Sequence, residues 1–417
     1  MICILIIKLF GNFLVIFYFS SYTLLVIYIS NKMLIINRLI SIRRYLHQNP
    51  EIGFNTSNTI SFLKEQIIRA NVFSTPLDMV TIKGSLIVTI DSFNSSKPVL
   101  GFRSDIDALK IKELNNVSYR STNSYMHACG HDAHTSILLN TIIYLLEHPK
   151  LIKNKLVFIF QAAEEGPGNG GAYYLVNHKI VRNIDYLFNV HINSTLDTSK
   201  IYLKDNILYS SGTTFRIKIL GKSSHVNNYN QGIDALKIGL NVVSKINSIK
   251  TTYLSPIDKS IIMVNKFISG TSTNIVSSSS IIEGTIRYFD SSSLSLIKNK
   301  IDDILKSETL NYEIKYNNGY PAIINNSKLF NFCNFILKHS KIKYEIIDEP
   351  FYLTDDFSRY NQNSKCFYYL LGSKTSRQTV LHSPDFELDE TSMFTGFLFN
   401  LLIIKNINNL DLFSMKS

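Results

Sequence analysis

LVFIFQAAEEG, residues 156–166, is the stretch on which the fold of this chain turns. Five consecutive apolar residues, Leu156 to Phe160, are too few for a helix and suit a strand buried on both faces. Leu86 to Ile90, Pro98 to Phe102 and Tyr186 to Val190 read the same way. Between them, Thr135 to His148 has the broad apolar face of a buried helix. From Ser41 onward strands alternate with helices, which predicts an α/β fold with helices on both faces of a sheet. Residues 213–317 change rhythm. Phe215 to Leu220, Ile261 to Phe267, Ile281 to Phe289 and Tyr312 to Tyr316 read as strands. Gly232 to Ile249 and Leu294 to Leu305 read as helices. That βαββαβ order predicts a small ferredoxin-like insert, placed as a lid over a cleft.

A chain of 417 residues with 45% apolar and 18% charged residues is neither disordered nor short of core. Four cysteines, Cys3, Cys129, Cys333 and Cys366, are too sparse and irregular for a disulfide scaffold. The net charge of +11 comes from 43 basic against 32 acidic residues. The basic residues are scattered among Asn, Ser and Ile with no dense block, which argues against nucleic acid as a partner. Abundant Ile, Asn, Lys, Tyr and Phe with no Trp also has the look of AT-rich coding.

Residues 9–31, LFGNFLVIFYFSSYTLLVIYISN, carry no charge and are long enough to span a bilayer. Lys32, Arg38, Arg43 and Arg44 follow, so an anchor there would leave the rest of the chain in the cytoplasm. The competing reading makes Met33 the real start and residues 1–35 an extraneous leader.

Acids and histidines gather where apolar strands end. Cys129-Gly130-His131 can turn a thiolate and an imidazole toward one ion, a donor set zinc accepts. Glu164 and Glu165 close the strand quoted above, where paired carboxylates are costly unless something positive meets them. Near a strand end successive side chains diverge, so one can ligate a metal while its neighbour faces a water. Asp105 lies just past a second strand, His191 closes a third, and His382 stands in Leu381-His382-Ser383-Pro384. Ligands of open α/β sheets gather at the carboxyl ends of strands, which joins these residues into one candidate site.

Taken together the stretches IRRYLHQNPEIGF (42–54), GFRSDIDALKIKE (101–113), MHACGHDAHTSILL (126–139), FIFQAAEEGPGNGGA (158–172), NVHI (189–192), GTSTNIVSSSSIIEGTIRYFD (270–290), DDFSRY (355–360) and LHSPDFELDE (381–390) closely resemble the hippurate hydrolase, N-acyl-amino-acid amidohydrolase and auxin-conjugate hydrolase group, peptidase family M20 subfamily D. The resemblance runs in order over roughly residues 36 to 400. It implies a two-domain metallopeptidase-like fold: a central mixed sheet flanked by helices, split into residues 36–212 and 318–417, with the lid and dimerisation insert at 213–317. It implies two divalent metals, Zn, Mn, Co or Ni, with Cys129 bridging and His131, Glu165, His191 and His382 as ligands. Glu164 matches the general base. Asp105 matches a supporting carboxylate behind the ligands, and His225 a lid histidine that stabilises the oxyanion, often across a homodimer. Asn274 and Arg287 match positions that touch the substrate carboxylate or the dimer contact. The remaining histidines are assigned to structure: His47 and His127 near the site, His148, His178 and His339 on surfaces.

Departures fall mainly in the insert. Val226-Asn227-Asn228-Tyr229-Asn230 replaces small residues followed by Pro-His, and Ser277 or Ser278 replaces a proline. Asp355-Asp356 stands where Glu-Asp is more usual. The expected activity is metal-dependent deacylation of N-acyl amino acids. N-acetyl-diaminopimelate deacetylation, or dipeptidase or aminopeptidase action from the same site, are the enzymatic alternatives. A non-catalytic membrane-tethered binding protein is the alternative of another class.

Overall fold

The computed structural model describes residues 3–8, 14–19, 21–92, 97–166 and 168–410, with side chains from Lys32 onward. It has a mixed α/β fold in two parts. The larger is an eight-stranded sheet in the order Tyr344–Ile346, Ile201–Leu203, Lys365–Gly372, Tyr186–Asn193, Leu100–Asp105, Leu156–Gln161, Ser85–Ile90, Leu77–Ile82. The four central strands are parallel, so their carboxyl ends lie on one edge. Antiparallel pairings toward both margins make the sheet mixed.

The continuous apolar runs follow from burial on both faces. Leu156, Phe158 and Phe160 pack under the helices Ser57–Ala70, His131–Glu147, Ser327–Lys338 and Met393–Asn406. Val157 and Ile159 face the other layer, with Leu175, Val181, Phe357 and Tyr360. Two strands reach further than their apolar letters suggest. The second predicted strand spans Leu100–Asp105, so Asp105 is its last residue and not the one beyond it. The fourth spans Tyr186–Asn193, which puts His191 inside a strand rather than at its close. Polar residues continue each ladder because the site supplies partners for their side chains.

The insert is a four-stranded antiparallel sheet in the order Ile261–Ser269, Ser279–Tyr288, Ser211–Leu220, Tyr312–Asn318. The helices Ala235–Tyr253 and Ser291–Glu308 bury Val242, Ile246, Ile297 and Ile301 on one face of it. Asp234 and Asp290 cap these helices through their carboxylates. The βαββαβ order is as predicted. The chain enters at Gly212 and leaves at Gly319, whose N–H donates to Gly212 O at 2.9 Å.

Of the uncharged run 9–31, residues 9–13 and 20 lie outside the described residues. The rest divides between Leu14–Phe19, a strand antiparallel to Cys3–Lys8, and the opening of the helix Ser21–Gln48. That helix runs on through Lys32, Arg38, Arg43 and Arg44. Among the described residues no helix is long and apolar enough to cross a membrane. Met33 lies within this helix.

Candidate metal centre

The carboxyl edge of the parallel strands gathers the candidate residues. Gly130 sits at φ +81°, and a Cβ there would lie 2.1 Å from Ile192 Cδ1. Only glycine allows this tight bend, which turns Cys129 and His131 the same way as the helix His131–Glu147 begins. Glu164 and Glu165 are held by Asp107, whose two carboxylate oxygens accept their backbone N–H groups at 3.0 and 3.1 Å. Ala163 and His382 adopt left-handed backbone conformations, φ 57° and 65°, uncommon for residues with a Cβ. His382 is fixed by its own N–H, which donates to Ala128 O at 2.8 Å. Such strain persists only where the surroundings over-determine it.

The donor atoms converge. Cys129 Sγ is 3.6 Å from His191 Nε2. Cys129, His131 and Glu165 each place a donor atom within 4.8 Å of the others. His382 Nε2 is 2.8 Å from Glu165 Oε1. Two of the imidazoles are set alike: His131 Nδ1 donates to Asp107 O at 2.8 Å and His191 Nδ1 to Ile192 O at 2.7 Å. Each ring thereby turns an Nε2 lone pair into the cluster, the usual orientation of a ligating histidine. His131 Nε2 is buried with no hydrogen-bond partner, an omission a bound cation would remedy. Thiolate, imidazole and carboxylate donors together suit zinc and other divalent transition metals, so the residues fit a metal centre.

Asp105 and His134 stand behind the donors. His134 lies close enough to be counted with Asp105, His131 and His191 as a metal-holding group. Both its nitrogens are spent, however. Nδ1 donates to Asp105 Oδ1 at 2.6 Å, and Nε2 accepts the Ile192 N–H at 2.8 Å. It braces the strand that carries His191. Asp105 Oδ2 is engaged by Arg103 at 2.8 Å. Arg103, fully buried, also meets Asp356 at 3.0 Å and Asp355 at 3.4 Å. Tyr368 donates to Asp355, and Gln161 to Asp356.

The electrostatics follow from this packing of charge. Burial, then the charges of Asp355 and Glu165, hold the Glu164 carboxyl well above the usual carboxylate range. Burial pushes the Cys129 thiol up. Contacts with Cys129 and Glu165 raise His382 to about 10. Burial and the neighbouring His134 keep His191 neutral. The rises at Glu164 and His382 are the signs of an anion excess that a cation offsets.

The residues border a cleft of about 440 Å³ that also takes in Tyr209, Arg287, Tyr320 and Tyr352. Arg287 is half-buried and donates to Thr354 Oγ1 at 3.0 Å; no carboxylate among the described residues pairs with it. The other two insert residues do not join the cleft. His225 and Asn274 are exposed neighbours of each other, linked by the Val226 N–H to Asn274 O at 2.9 Å. A larger hollow of about 690 Å³, apolar and lined by Tyr144, Phe335 and Leu401, contains none of the candidate residues.

The sequence motifs therefore supplied Cys129, His131, Glu164, Glu165, His191, His382, Asp105 and Arg287 to one place. They passed over Asp107, His134 and the roles of Arg103, Asp355 and Asp356. The missed signal was Arg103 and Asp105, two apart on one face of a fully buried strand, since charges on a buried face must be matched.

Fold and donor set together define a metal-dependent hydrolase of the mixed-sheet metallopeptidase class. The chain belongs to peptidase family M20/M25/M40, whose profile matches residues 101–406. Thermostable carboxypeptidase 2 of Saccharolobus solfataricus is 28% identical over 382 residues, 89% of this chain and 95% of that protein. An uncharacterized hydrolase of Staphylococcus haemolyticus is 31% identical over 364 residues, 84% and 92% of the two chains. A crystal structure from methicillin-resistant Staphylococcus aureus, assigned as an aminohydrolase, superposes with TM-score 0.81 at 27% identity, over 92% of this chain and 98% of that one. A dinuclear metal-binding M20 peptidase of Bacillus subtilis shares the fold, with TM-score 0.75 at 24% identity over 89% and 98%.

Proposed function

We propose that this hydrolase cleaves the amide bond of N-acyl amino acids, as a member of the hippurate hydrolase and N-acyl-amino-acid amidohydrolase group. The observation that carries the substrate reading is Arg287, half-buried on the cleft wall without a carboxylate partner. A guanidinium so placed suits the free carboxylate of an amino-acid product. No carboxylate of the cleft is spare for a free α-amine. Asp355 is taken by Arg103, Tyr368 and the Phe357 N–H, and Glu164 and Glu165 belong to the reacting centre. That favours a blocked amine over the dipeptide or aminopeptidase readings. Tyr209, Tyr320 and Tyr352 offer aromatic walls to the acyl group. A cleft of this size suits a small substrate.

Cys129, His131, Glu165, His191 and His382 would hold two divalent ions. Bound there, such ions supply Lewis acidity and lower the pKa of an attacking water. Glu164 takes the proton of that water on its buried carboxylate and returns it to the departing nitrogen. Burial, which raises its pKa, suits a base that must also act as an acid. Asp107 keeps the Glu164 and Glu165 backbones in place, and Asp105 steadies His134 behind them.

His225 would complete the oxyanion site from a second copy, with Asn274 beside it. Its exposure supports that reading, as do Val226, Tyr229 and Ile275 around it, 49%, 71% and 46% exposed. The edge strand Ile261–Ser269 leaves one side of the insert sheet available for pairing.

The test is a panel run with Zn, Mn, Co and Ni: N-acetyl amino acids, benzoyl-glycine, N-acetyl-diaminopimelate, dipeptides, and benzoyl-glycine amide. Hydrolysis of acyl amino acids, and its loss on the capped amide, is expected. Preference for dipeptides would move the assignment to peptidase action. Selective turnover of N-acetyl-diaminopimelate would mark the biosynthetic deacetylase.

A further inference from the structure

One stretch of the sequence plays no part in the reaction above: Ile42-Arg43-Arg44-Tyr45-Leu46-His47, near the end of the helix Ser21–Gln48. Arg43 and His47 lie one turn apart on a single face, 2% and 1% exposed. Both reach Asp132. Arg43 Nε and His47 Nδ1 each lie 2.8 Å from the same oxygen, Asp132 Oδ2. The other oxygen, Oδ1, accepts the Ala133 N–H at 2.9 Å. Asp132 is the residue after His131, and in the first turn of a helix the two side chains point about 100° apart. One enters the metal cluster; the other is gripped by the first helix. His47 continues the connection. Its Nε2 lies 3.1 Å from Glu113 Oε1, and Glu113 Oε2 accepts the Ser121 N–H at 2.7 Å. Gln48 O accepts both the N–H and the hydroxyl of Thr122, at 3.0 and 2.8 Å. The segment leading into Cys129 is thus docked on the same helix end.

We propose that Arg43 and His47 are positioning residues for the metal centre, setting Cys129 and His131 in register through Asp132 and Glu113. The inference rests on the metal-site reading above. A role in stability alone does not account for the arrangement. The helix already buries Leu39, Ile42 and Leu46 in the core. Buried ion pairs add little net stability, because desolvation offsets their attraction. Residues that orient ligands from behind typically change metal affinity by 10 to 100-fold when replaced.

The experiment titrates zinc against a competing chelator on the full chain. His47→Gln and Arg43→Met are compared with the parent and with Arg38→Ala. Arg38 also joins this helix to His131–Glu147, through Asn140 and Glu147, but far from the metal loop. His47→Gln and Arg43→Met are expected to bind zinc roughly tenfold more weakly, while Arg38→Ala binds as the parent does. Should either of the first two fail to fold, Arg43→Lys keeps the charge, loses the Nε contact, and is expected to weaken zinc severalfold. Parental affinity in the folded Arg43 and His47 variants would overturn the proposal. So would equal weakening in Arg38→Ala, which would make the effect one of helix packing. Absence of zinc binding in the parent would overturn the metal-site reading and this inference with it.

Discussion

The two halves of the molecule treat their polar residues in opposite ways. At the carboxyl edge of the large sheet most titratable groups are buried, close and braced, His382 being the exposed exception. Arg103, Asp105, His131, His134 and Asp356 are each 1% exposed or less. On the insert His225 and Asn274 stand in solvent, their side chains accepting only from the near neighbours Asn227 and Ser272. Arg287 alone of the predicted insert residues reaches the cleft. The contrast teaches that one copy of the chain gathers the donor residues and Arg287 along one cleft, while His225 and Asn274 stay outside it.

Breaking the buried side should have the largest effect. Glu164→Gln removes the base while leaving the five donors in place. It is expected to lower kcat roughly a thousandfold with bound metal retained, checked by steady-state kinetics alongside elemental analysis. Loss of the metal instead would make Glu164 a ligand and blur the contrast. His225→Ala tests the exposed side, with an expected loss of about a hundredfold in kcat. Mixing it with Glu164→Gln sharpens the comparison further. If the insert serves a second copy, two nearly inactive variants regain activity together; if it does not, the mixture stays inactive. Arg287→Ala should raise KM for benzoyl-glycine roughly tenfold or more, the worth of a charged hydrogen bond, and leave capped amides unaffected. Gly212→Ala is the mildest probe. Its new Cβ would lie 2.8 Å from Arg287 Nη1, at the far end of a flexible side chain. A severalfold rise in KM by displacement of that guanidinium is expected, with kcat unchanged.

Much of this was readable from the letters. Strands such as Leu156 to Phe160 announce themselves because both faces are buried, and the insert keeps a regular alternation from Phe215 to Leu220. The donors were readable because each motif holds its chemistry within a few residues, as in Cys129-Gly130-His131. What stayed hidden was pairing across distance. Nothing local to Arg103 shows that Asp355 and Asp356, some 250 residues later, will meet it. Likewise His134 looks like one more candidate donor until Ile192 N–H and Asp105 are seen to occupy both its nitrogens.

The meeting of Gly212 and Gly319 makes the insert separable. The chain departs and returns through neighbouring backbone groups joined by a hydrogen bond. Everything between could be excised and the ends rejoined by a short turn, without disturbing the order of strands in the large sheet. The excised part would carry away Arg287, His225 and Asn274 and none of Cys129, His131, Glu164, Glu165, His191 and His382, so a single deletion separates the donor residues from everything the insert brings to them.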